Sequence, residues 1–424
     1  MNKIVVDDRE GYFNRYKYRL YKLIVHCKDK IPYYSNEMNF ELPDIDKFTY
    51  EFYRSVIPVL EKNIVRENSE LFLDRRLNHE ELAVDSTSGT EGKPIICYRS
   101  RFEQSVCAQS LWKLRRKFVP DLKTTDKFAR FYAFRNIKNE VVSNKVLFKN
   151  NDILLPLFDL SEDRLIYYWN EIVKFKPRWL HGPSSTIYNL ALTAKQNNLT
   201  QYHFELVELT GEFVKEEHYK TIKEVFGGYV VNQYGCREYW PMAFSDFEGN
   251  LEAQTDNIFF EEIYNEKYNT NELLITTLKN DAWPLVRYRI GDFGSLKFIG
   301  EKVTVNLKSG RTADFFSMAG GKYFNAIVFS GVSRAICEIY GYNVILQYQF
   351  VKEAQDLLVG YVKLNLQCNK KEVMLRFSKE LNRIFGDAIR IKLVESDYIC
   401  PDSKTGKTRD FKNNCDSGGD KNRT

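Results

Sequence analysis

Apolar residues recur at three- and four-residue steps through the first 80 positions, and this spacing predicts a mainly helical segment. Leu20, Leu23, Ile24 and Cys27 form one such stripe. It stops before Pro32, whose missing N–H and fixed φ interrupt a helix. A break at Pro43-Asp44 precedes a second helical stretch carrying Phe52, Val56 and Val59. From Val84 the texture changes: Leu82-Ala83-Val84 and Ile95-Ile96 flank a small-polar, glycine-containing loop, Ser86 to Pro94. A helix is predicted from about Ser100 to Phe118, with Phe102, Val106, Leu111, Leu114 and Phe118 on or near one face.

Between 127 and 300, short apolar runs alternate with amphipathic stretches. Ile153-Leu154-Leu155, Trp179-Leu180, Leu206-Val207-Glu208-Leu209 and Tyr229-Val230-Val231 read as strands, and 162–176, 185–197 and 214–226 read as helices between them. This alternation predicts a mixed or parallel sheet with its site at the carboxyl ends of the strands. After Arg311-Thr312-Ala313-Asp314 the pattern restarts: strands over 344–351, 357–365 and 389–394, with a helix over 370–385, predict a compact α+β module. The final stretch, 402–424, is polar and charged with almost nothing to bury. The fold class is thus α/β, a large N-terminal mixed α/β domain over 1–312 followed by a small C-terminal α+β domain over 313–424. A length of 424 residues supports two domains, since it exceeds what one ordinary core organises.

Composition narrows the function classes. The net charge is +5, a mild excess spread along the chain, which suits anionic small molecules better than a nucleic-acid partner. Lys113-Leu114-Arg115-Arg116-Lys117 is the nearest approach to a basic stripe, and it falls on an amphipathic helix. No apolar run is long enough to span a bilayer, and the N-terminus turns acidic at Asp7-Asp8 before a signal-peptide core could form, so a cytoplasmic location is expected. The eight cysteines make no C-x-x-C pair and the five histidines no H-x-x-x-H pair, which argues against zinc or dithiol chemistry.

The sharpest chemical feature is Asp85-Ser86-Thr87-Ser88-Gly89-Thr90-Glu91-Gly92-Lys93-Pro94. Hydroxyls, glycines and a lysine in a strand-to-helix loop are what a polyphosphate requires: close backbone N–H groups, hydroxyl donors and a balancing cation. The spacing is not that of a Walker A loop, and by itself the segment reads equally as a flexible surface turn.

It does not stand alone. Ser86-Thr87-Ser88-Gly89-Thr90 with Gly92-Lys93-Pro94 resembles the phosphate loop of the adenylate-forming, acyl-CoA synthetase-like superfamily. Four further segments, in order, resemble that superfamily's other motifs: Tyr234-Gly235-Cys236-Arg237-Glu238, Arg287-Tyr288-Arg289-Ile290-Gly291-Asp292, Gly310-Arg311-Thr312-Ala313-Asp314 and Thr405-Gly406-Lys407. Within it, the phenylacetate–CoA ligase and CapK capsule-biosynthesis branch is the nearest in flavour. Val25-His26-Cys27 through Pro32-Tyr33-Tyr34, Ile57-Pro58 through Lys62, and Pro177 through Ser185 carry that likeness, which covers essentially the whole chain.

The resemblance implies an ATP-dependent ligase that activates a carboxylic acid as an acyl- or aryl-adenylate and passes the acyl group to an acceptor. The acceptor would be coenzyme A, or an amine or hydroxyl in polysaccharide or small-molecule biosynthesis. It implies ATP and Mg²⁺ as cofactors, a small-molecule carboxylate as substrate and, as candidate oligomer, a dimer. Lys407 would bridge the carboxylate and the α-phosphate as catalytic residue, with Glu238 holding Mg²⁺. The nucleotide would be bound by Ser86, Thr87, Ser88, Gly89, Thr90, Gly92 and Lys93. Gly211, Glu212, Gln233, Tyr234, Gly235, Cys236, Asp292 and Arg311 would complete its site, with Tyr234 on adenine and Asp292 on the ribose hydroxyls. Phe131, Phe134, Trp179 and His181 would line the acid pocket, with Tyr132 and the 234–241 loop nearby. Asp314 would be the hinge of a domain rotation between the two half-reactions.

Two departures from the pattern bear on this. Glu91 places a carboxylate where the family carries Thr or Ser, and Cys236-Arg237 replaces the commoner hydroxyl residues. A non-catalytic nucleotide-binding scaffold is the alternative that Glu91 supports. Trp240 to Thr255 contains no Cys or His, so the zinc ligands of some relatives are not expected.

Overall fold

The computed structural model describes residues 8–87, 94–132, 136–137, 140–141, 145–157, 160–211, 214, 216–266, 270–309, 315–317, 323–341, 344–365, 368–386, 389–397, 399 and 411–414. Its contacts divide the chain into two compact units, one formed by 1–87, 95–122 and 231–311, the other by 88–94, 123–230 and 312–424. Among the described residues no helix is long and apolar enough to cross a membrane.

In the first unit the N-terminal helix runs Arg9–Lys30, capped by the Asp8 side chain, which accepts from the Gly11 N–H at 3.0 Å. The helix ends before Pro32, as its sequence predicts. Pro32 opens a second short helix, Pro32–Glu37, because proline at the first position has no N–H to leave unpaired there. The stripe Leu20, Leu23, Ile24 and Cys27 is buried against a sheet core that includes Phe259, Leu273 and Ile275.

That sheet is antiparallel. Its order is Ile258–Asn265, Thr270–Thr277, Tyr288–Ile299, Lys302–Ser309, Leu251–Ala253, Trp240–Ser245 and Tyr229–Cys236. The predicted β-α alternation therefore stops near 230 rather than 300. From Trp240 onward, β-branched and aromatic runs are joined by turns such as 246–250, where Asp246 Oδ1 accepts from the N–H groups of Glu248 and Asn250 at 2.9 and 2.8 Å.

The helix Arg101–Phe118 in the same unit begins with a capping box between Ser100 and Glu103. Its buried side is Glu103, Cys107, Leu114, Arg115 and Phe118. Phe102, expected inside, is 77% exposed, since it lies one residue, about 100°, round the helix from Glu103.

In the second unit, the strands Asp152–Pro156, Phe128–Tyr132, Trp179–Pro183 and Leu206–Thr210 run parallel, with Leu147–Lys149 antiparallel at one edge. The helices Glu162–Phe175, Ser184–Gln196 and Glu216–Phe226 follow the predicted positions and bury Leu165, Tyr168, Trp169, Ile187, Leu190 and Phe226 in one core. The parallel strands and their helices fit the mixed α/β class.

The C-terminal part of this unit is an α+β module with its own core. Strands Arg390–Glu395, Leu357–Leu364, Ile345–Ala354 and Phe411–Asn413 form its sheet, and the helices Ile327–Tyr340 and Lys370–Phe385 contribute to the same core. The first helix was not singled out in the sequence, although Val328, Phe329, Val332, Ala335, Ile336 and Cys337 are buried on one side while Arg334 and Glu338 pair at 3.3 Å on the other. The supposed tail with nothing to bury is also corrected. Phe411 is 1% exposed, stacks on Phe316 at 4.5 Å and starts a strand parallel to Ile345–Ala354.

Replacing Phe411 with Ala should destabilise this module by about 3–5 kcal/mol, as for other buried aromatic truncations. Lys412→Ala, at the next position of the same strand and outside that core, should shift it by less than about 0.5 kcal/mol. Urea denaturation of both variants checks the difference.

Candidate functional site

Two segments of the antiparallel sheet carry the predicted nucleotide residues, and each has a tyrosine followed four positions later by a carboxylate. Tyr234 and Glu238 lie on and just beyond the strand Tyr229–Cys236, and Tyr288 and Asp292 lie on the strand Tyr288–Ile299. The structure crosses them over. Tyr234 donates its hydroxyl to Asp292 Oδ2 at 2.7 Å, and Tyr288 donates to Glu238 Oε1 at 3.1 Å. Each carboxylate is thus held by the other segment's phenol, through a hydrogen bond to a charged acceptor, worth about 1.5–3 kcal/mol.

The backbone around these pairs is tightly constrained. Gly235 faces the carbonyl of Trp240, where an added Cβ would lie 2.3 Å from the oxygen, so a side chain cannot be accommodated without moving the strand pair. The register shifts between Tyr234 and Gly235, and Trp240 adopts φ +62°, a region that costs a bulky residue about 1–3 kcal/mol. Gly291, just before Asp292, has φ +86°, which glycine adopts without strain. Arg287, before Tyr288, is held at φ +50° by its buried ion pair to Glu261 at 3.2 Å and by donation to the Arg54 carbonyl at 2.7 Å.

Glu238 is 5% exposed, and among the described residues its side chain makes no ion pair. Cys236 lies beside it. Burial first, and then the Glu238 carboxylate, push the Cys236 thiol well above the ordinary thiol range.

The Ser86–Pro94 loop joins two antiparallel strands, Ala83–Ser86 and Ile96–Arg99, and is not the strand-to-helix loop expected. Thr87 closes the stem. Its N–H donates to the Ile95 carbonyl at 3.0 Å and its Oγ1 accepts from the Ile95 N–H at 2.9 Å. Ser86 is buried. Ser88, Gly89, Thr90, Gly92 and Lys93, with Glu91, lie outside the described residues, as do Phe134, Glu212, Arg311, Asp314 and Lys407.

Gln233, Tyr234, Gly235, Cys236, Glu238 and Asp292 belong to the first unit, whereas Gly211 and the expected acid-pocket residues belong to the second. In that second unit Trp179 and His181 share a sheet face with Phe128, Arg130 and Glu208. Trp179 stacks on Phe128 at 4.5 Å, and His181 Nε2 lies 3.5 Å from the fully buried Glu208 carboxylate. Phe131 is not on this face. The two-residue period of the strand turns it into the helix-covered core, where it packs against Gly182, so it does not join His181 and Trp179.

Arg99 and Tyr288 were given no role on sequence grounds. Arg99 is 3% exposed, and its Nη2 donates to the carbonyls of both Arg237 and Glu238, at 2.7 and 2.6 Å. Tyr288 sits inside the R-Y-x-x-G-D segment, which was the one signal that could have singled it out.

No family model matches the chain. It is 23% identical to protein CapK of Staphylococcus aureus over 344 residues, 78% of this chain and 74% of that one. It is 25% identical to indoleacetate–lysine synthetase of Pseudomonas savastanoi over 268 residues, 61% of this chain and 65%, just under two thirds, of that protein. Among solved structures, 2-hydroxyisobutyryl-CoA ligase in complex with 2-HIB-AMP and CoA has the same fold. In its thioesterification state it aligns with a TM-score of 0.58 over 96% of this chain and 91% of that one, at 15% identity. An open conformation of the same ligase aligns with a TM-score of 0.54 over 94% and 90%. In sequence the chain is thus similar to CapK and to indoleacetate–lysine synthetase, and in fold to an acyl-CoA ligase, the similarities expected of the adenylate-forming superfamily.

Proposed function

We propose that the protein is an adenylate-forming ligase of the phenylacetate–CoA ligase and CapK type, acting on a carboxylic acid and ATP. The observation that carries this reading is the crossed pair of bonds, which sets the adenine-side Tyr234 and the ribose-side Asp292 2.7 Å apart and holds Glu238, in the turn after Tyr229–Cys236, on Tyr288. An aromatic face, an ionised diol acceptor and a hard oxygen ligand suit the base, sugar and phosphate-metal portions of one nucleotide.

In the first half-reaction a carboxylate oxygen attacks the α-phosphorus, the P–O bond to the β-phosphate breaks, and pyrophosphate leaves. In the second, the acceptor's S–H, N–H or O–H attacks the acyl carbon, AMP leaves with the C–O bonding pair, and the acceptor's proton passes to solvent or base. Both anions of the first step repel, so cations and N–H donors must be arranged before reaction. Lys407 takes that role next to the α-phosphate, with the loop over Ser86 to Lys93 on the outer phosphates.

Mg²⁺ supplies charge neutralisation of the phosphates when bound. Glu238 fits as its protein ligand. A carboxylate buried without an ionic partner among the described residues is unfavourable unless a cation reaches it. We assign residues 313–424 as the lid that carries Lys407, turning about Asp314 between half-reactions so that the adenylate stays out of water. The acceptor class is coenzyme A, the ligand of the structural neighbour named above, or an amine or hydroxyl group.

Carboxylate-dependent ATP–pyrophosphate exchange over a panel of acids tests this reading. Exchange is expected with at least one acid, falling about 100-fold or more in Lys407→Ala. Asp292→Asn should weaken ATP binding by about tenfold or more through loss of a charged hydrogen-bond acceptor. Absence of exchange with every acid would favour the non-catalytic scaffold.

Cys236 is assigned to the pocket wall and not to covalent catalysis. Its raised pKa keeps it a neutral thiol through and above the usual thiol range, so thiolate appears only as pH rises beyond that range. Alkylation of Cys236 by iodoacetamide, followed by peptide mass spectrometry from pH 7 to 10, should lag well behind that of glutathione throughout. Rapid labelling at pH 7 would contradict the assignment.

A further inference from the structure

The turn that carries Glu238 is held from two sides by residues that touch no predicted ligand. From the phosphate-loop hairpin, Arg99 reaches across with its Nη2 to the carbonyls of Arg237 and Glu238, at 2.7 and 2.6 Å. Its guanidinium also lies over the Trp240 ring at 5.2 Å. Asp85 of the same hairpin pairs with Arg237 at 2.7 Å. The hairpin stem and the turn are therefore joined twice, once through the opening strand and once through the closing one. From the sheet, the fully buried Tyr288 donates to Glu238 Oε1 at 3.1 Å.

The choice of partners is informative. A guanidinium that is 97% out of contact with water would ordinarily be matched to a carboxylate, since a buried charge is costly unless paired. Arg99 instead spends its donors on the two peptide oxygens that fix the turn's path. Trp240 at φ +62° would relax if that path were released, because the strain persists only while its surroundings impose it. Tyr288 likewise has its backbone fixed: Leu60 donates to the Arg287 carbonyl and accepts from the Arg289 N–H, both at 3.0 Å. A phenol on so fixed a backbone orients the carboxylate that accepts from it.

We infer that Arg99 and Tyr288 are positioning residues that together fix Glu238 for a divalent cation and tie its position to the hairpin bearing the phosphate loop. Arg99 sets where the turn lies, and Tyr288 sets which way the carboxylate faces. The inference rests on Glu238 as metal ligand, and it adds that the metal's affinity depends on two residues that do not touch it. Partners that orient a ligand commonly contribute 10- to 100-fold, roughly, to metal affinity.

The test is Mn²⁺ binding by the full chain in the presence of a non-hydrolysable ATP analogue, read as the loss of the free-Mn²⁺ EPR signal beyond that which the analogue causes alone. The wild type should bind Mn²⁺ in an analogue-dependent way, and Glu238→Gln should abolish this. Tyr288→Phe, which removes one oxygen and leaves the ring, should weaken Mn²⁺ about tenfold or more while the variant still unfolds cooperatively and binds the metal-free analogue. Arg99→Lys should weaken Mn²⁺ by a similar factor and also weaken the analogue without metal, since the hairpin shifts with the turn. Should Arg99→Lys fail to fold, Tyr288→Phe decides alone. Mn²⁺ affinity unchanged in Tyr288→Phe, with Glu238→Gln still abolishing it, would overturn the inference and leave the metal assignment standing. A wild type that binds the analogue but shows no analogue-dependent Mn²⁺ would overturn both.

Discussion

The candidate site depends on an exchange of hydrogen bonds between two strands of one antiparallel sheet. Tyr234 holds Asp292 and Tyr288 holds Glu238, so neither carboxylate is oriented by its own segment. The Tyr234–Asp292 contact, at 2.7 Å, is short and charge-assisted, while the Tyr288–Glu238 bond, at 3.1 Å, is longer and gains from the exclusion of water around the buried Glu238. Because both bonds join the same two segments, a shift that lengthened one would act on the other. This gives the residues proposed to bind the nucleotide a fixed relation before any ligand arrives, which is the condition for electrostatic stabilisation without reorganisation.

Backbone strain and close approach follow from that arrangement. Gly235 must lack a side chain because Trp240's carbonyl occupies its Cβ position, and Trp240 turns through a left-handed conformation to re-enter the sheet after Glu238. Strain of about 1–3 kcal/mol at Trp240 is comparable with one of the tyrosine–carboxylate bonds. Arg99 adds two further bonds from outside the strand pair and so tips the balance toward the observed turn. The hairpin that supplies Arg99 and Asp85 is the stem of the Ser86–Pro94 loop, so the same contacts set the loop's base.

Much of the fold was legible because the physics that forms it is local. The stripe at Leu20, Leu23, Ile24 and Cys27 and the short apolar runs of the parallel strands each announce their element within a few residues. What was hidden needed non-local knowledge. The apolar side of helix Ile327–Tyr340 finds its core only among distant strands, and Phe411–Asn413 becomes a strand only because Ile345–Ala354 offers a free edge and a core pocket for one phenyl ring. Phe131 and His181 looked alike as pocket residues, but strand alternation and register put them on opposite faces. At the site, Tyr234, Glu238 and Asp292 could be picked out from their motifs. Arg99 could not, since it acts across 138 residues on peptide oxygens that any sequence would supply.

The most direct measurement is a crystal structure of the protein with AMP bound. The account predicts the adenine ring against Tyr234, the ribose hydroxyls on Asp292, and the Tyr288–Glu238 bond preserved beneath the phosphate. An ordered AMP lying elsewhere, or one that binds here with neither Tyr234 nor Asp292 in contact, would contradict it.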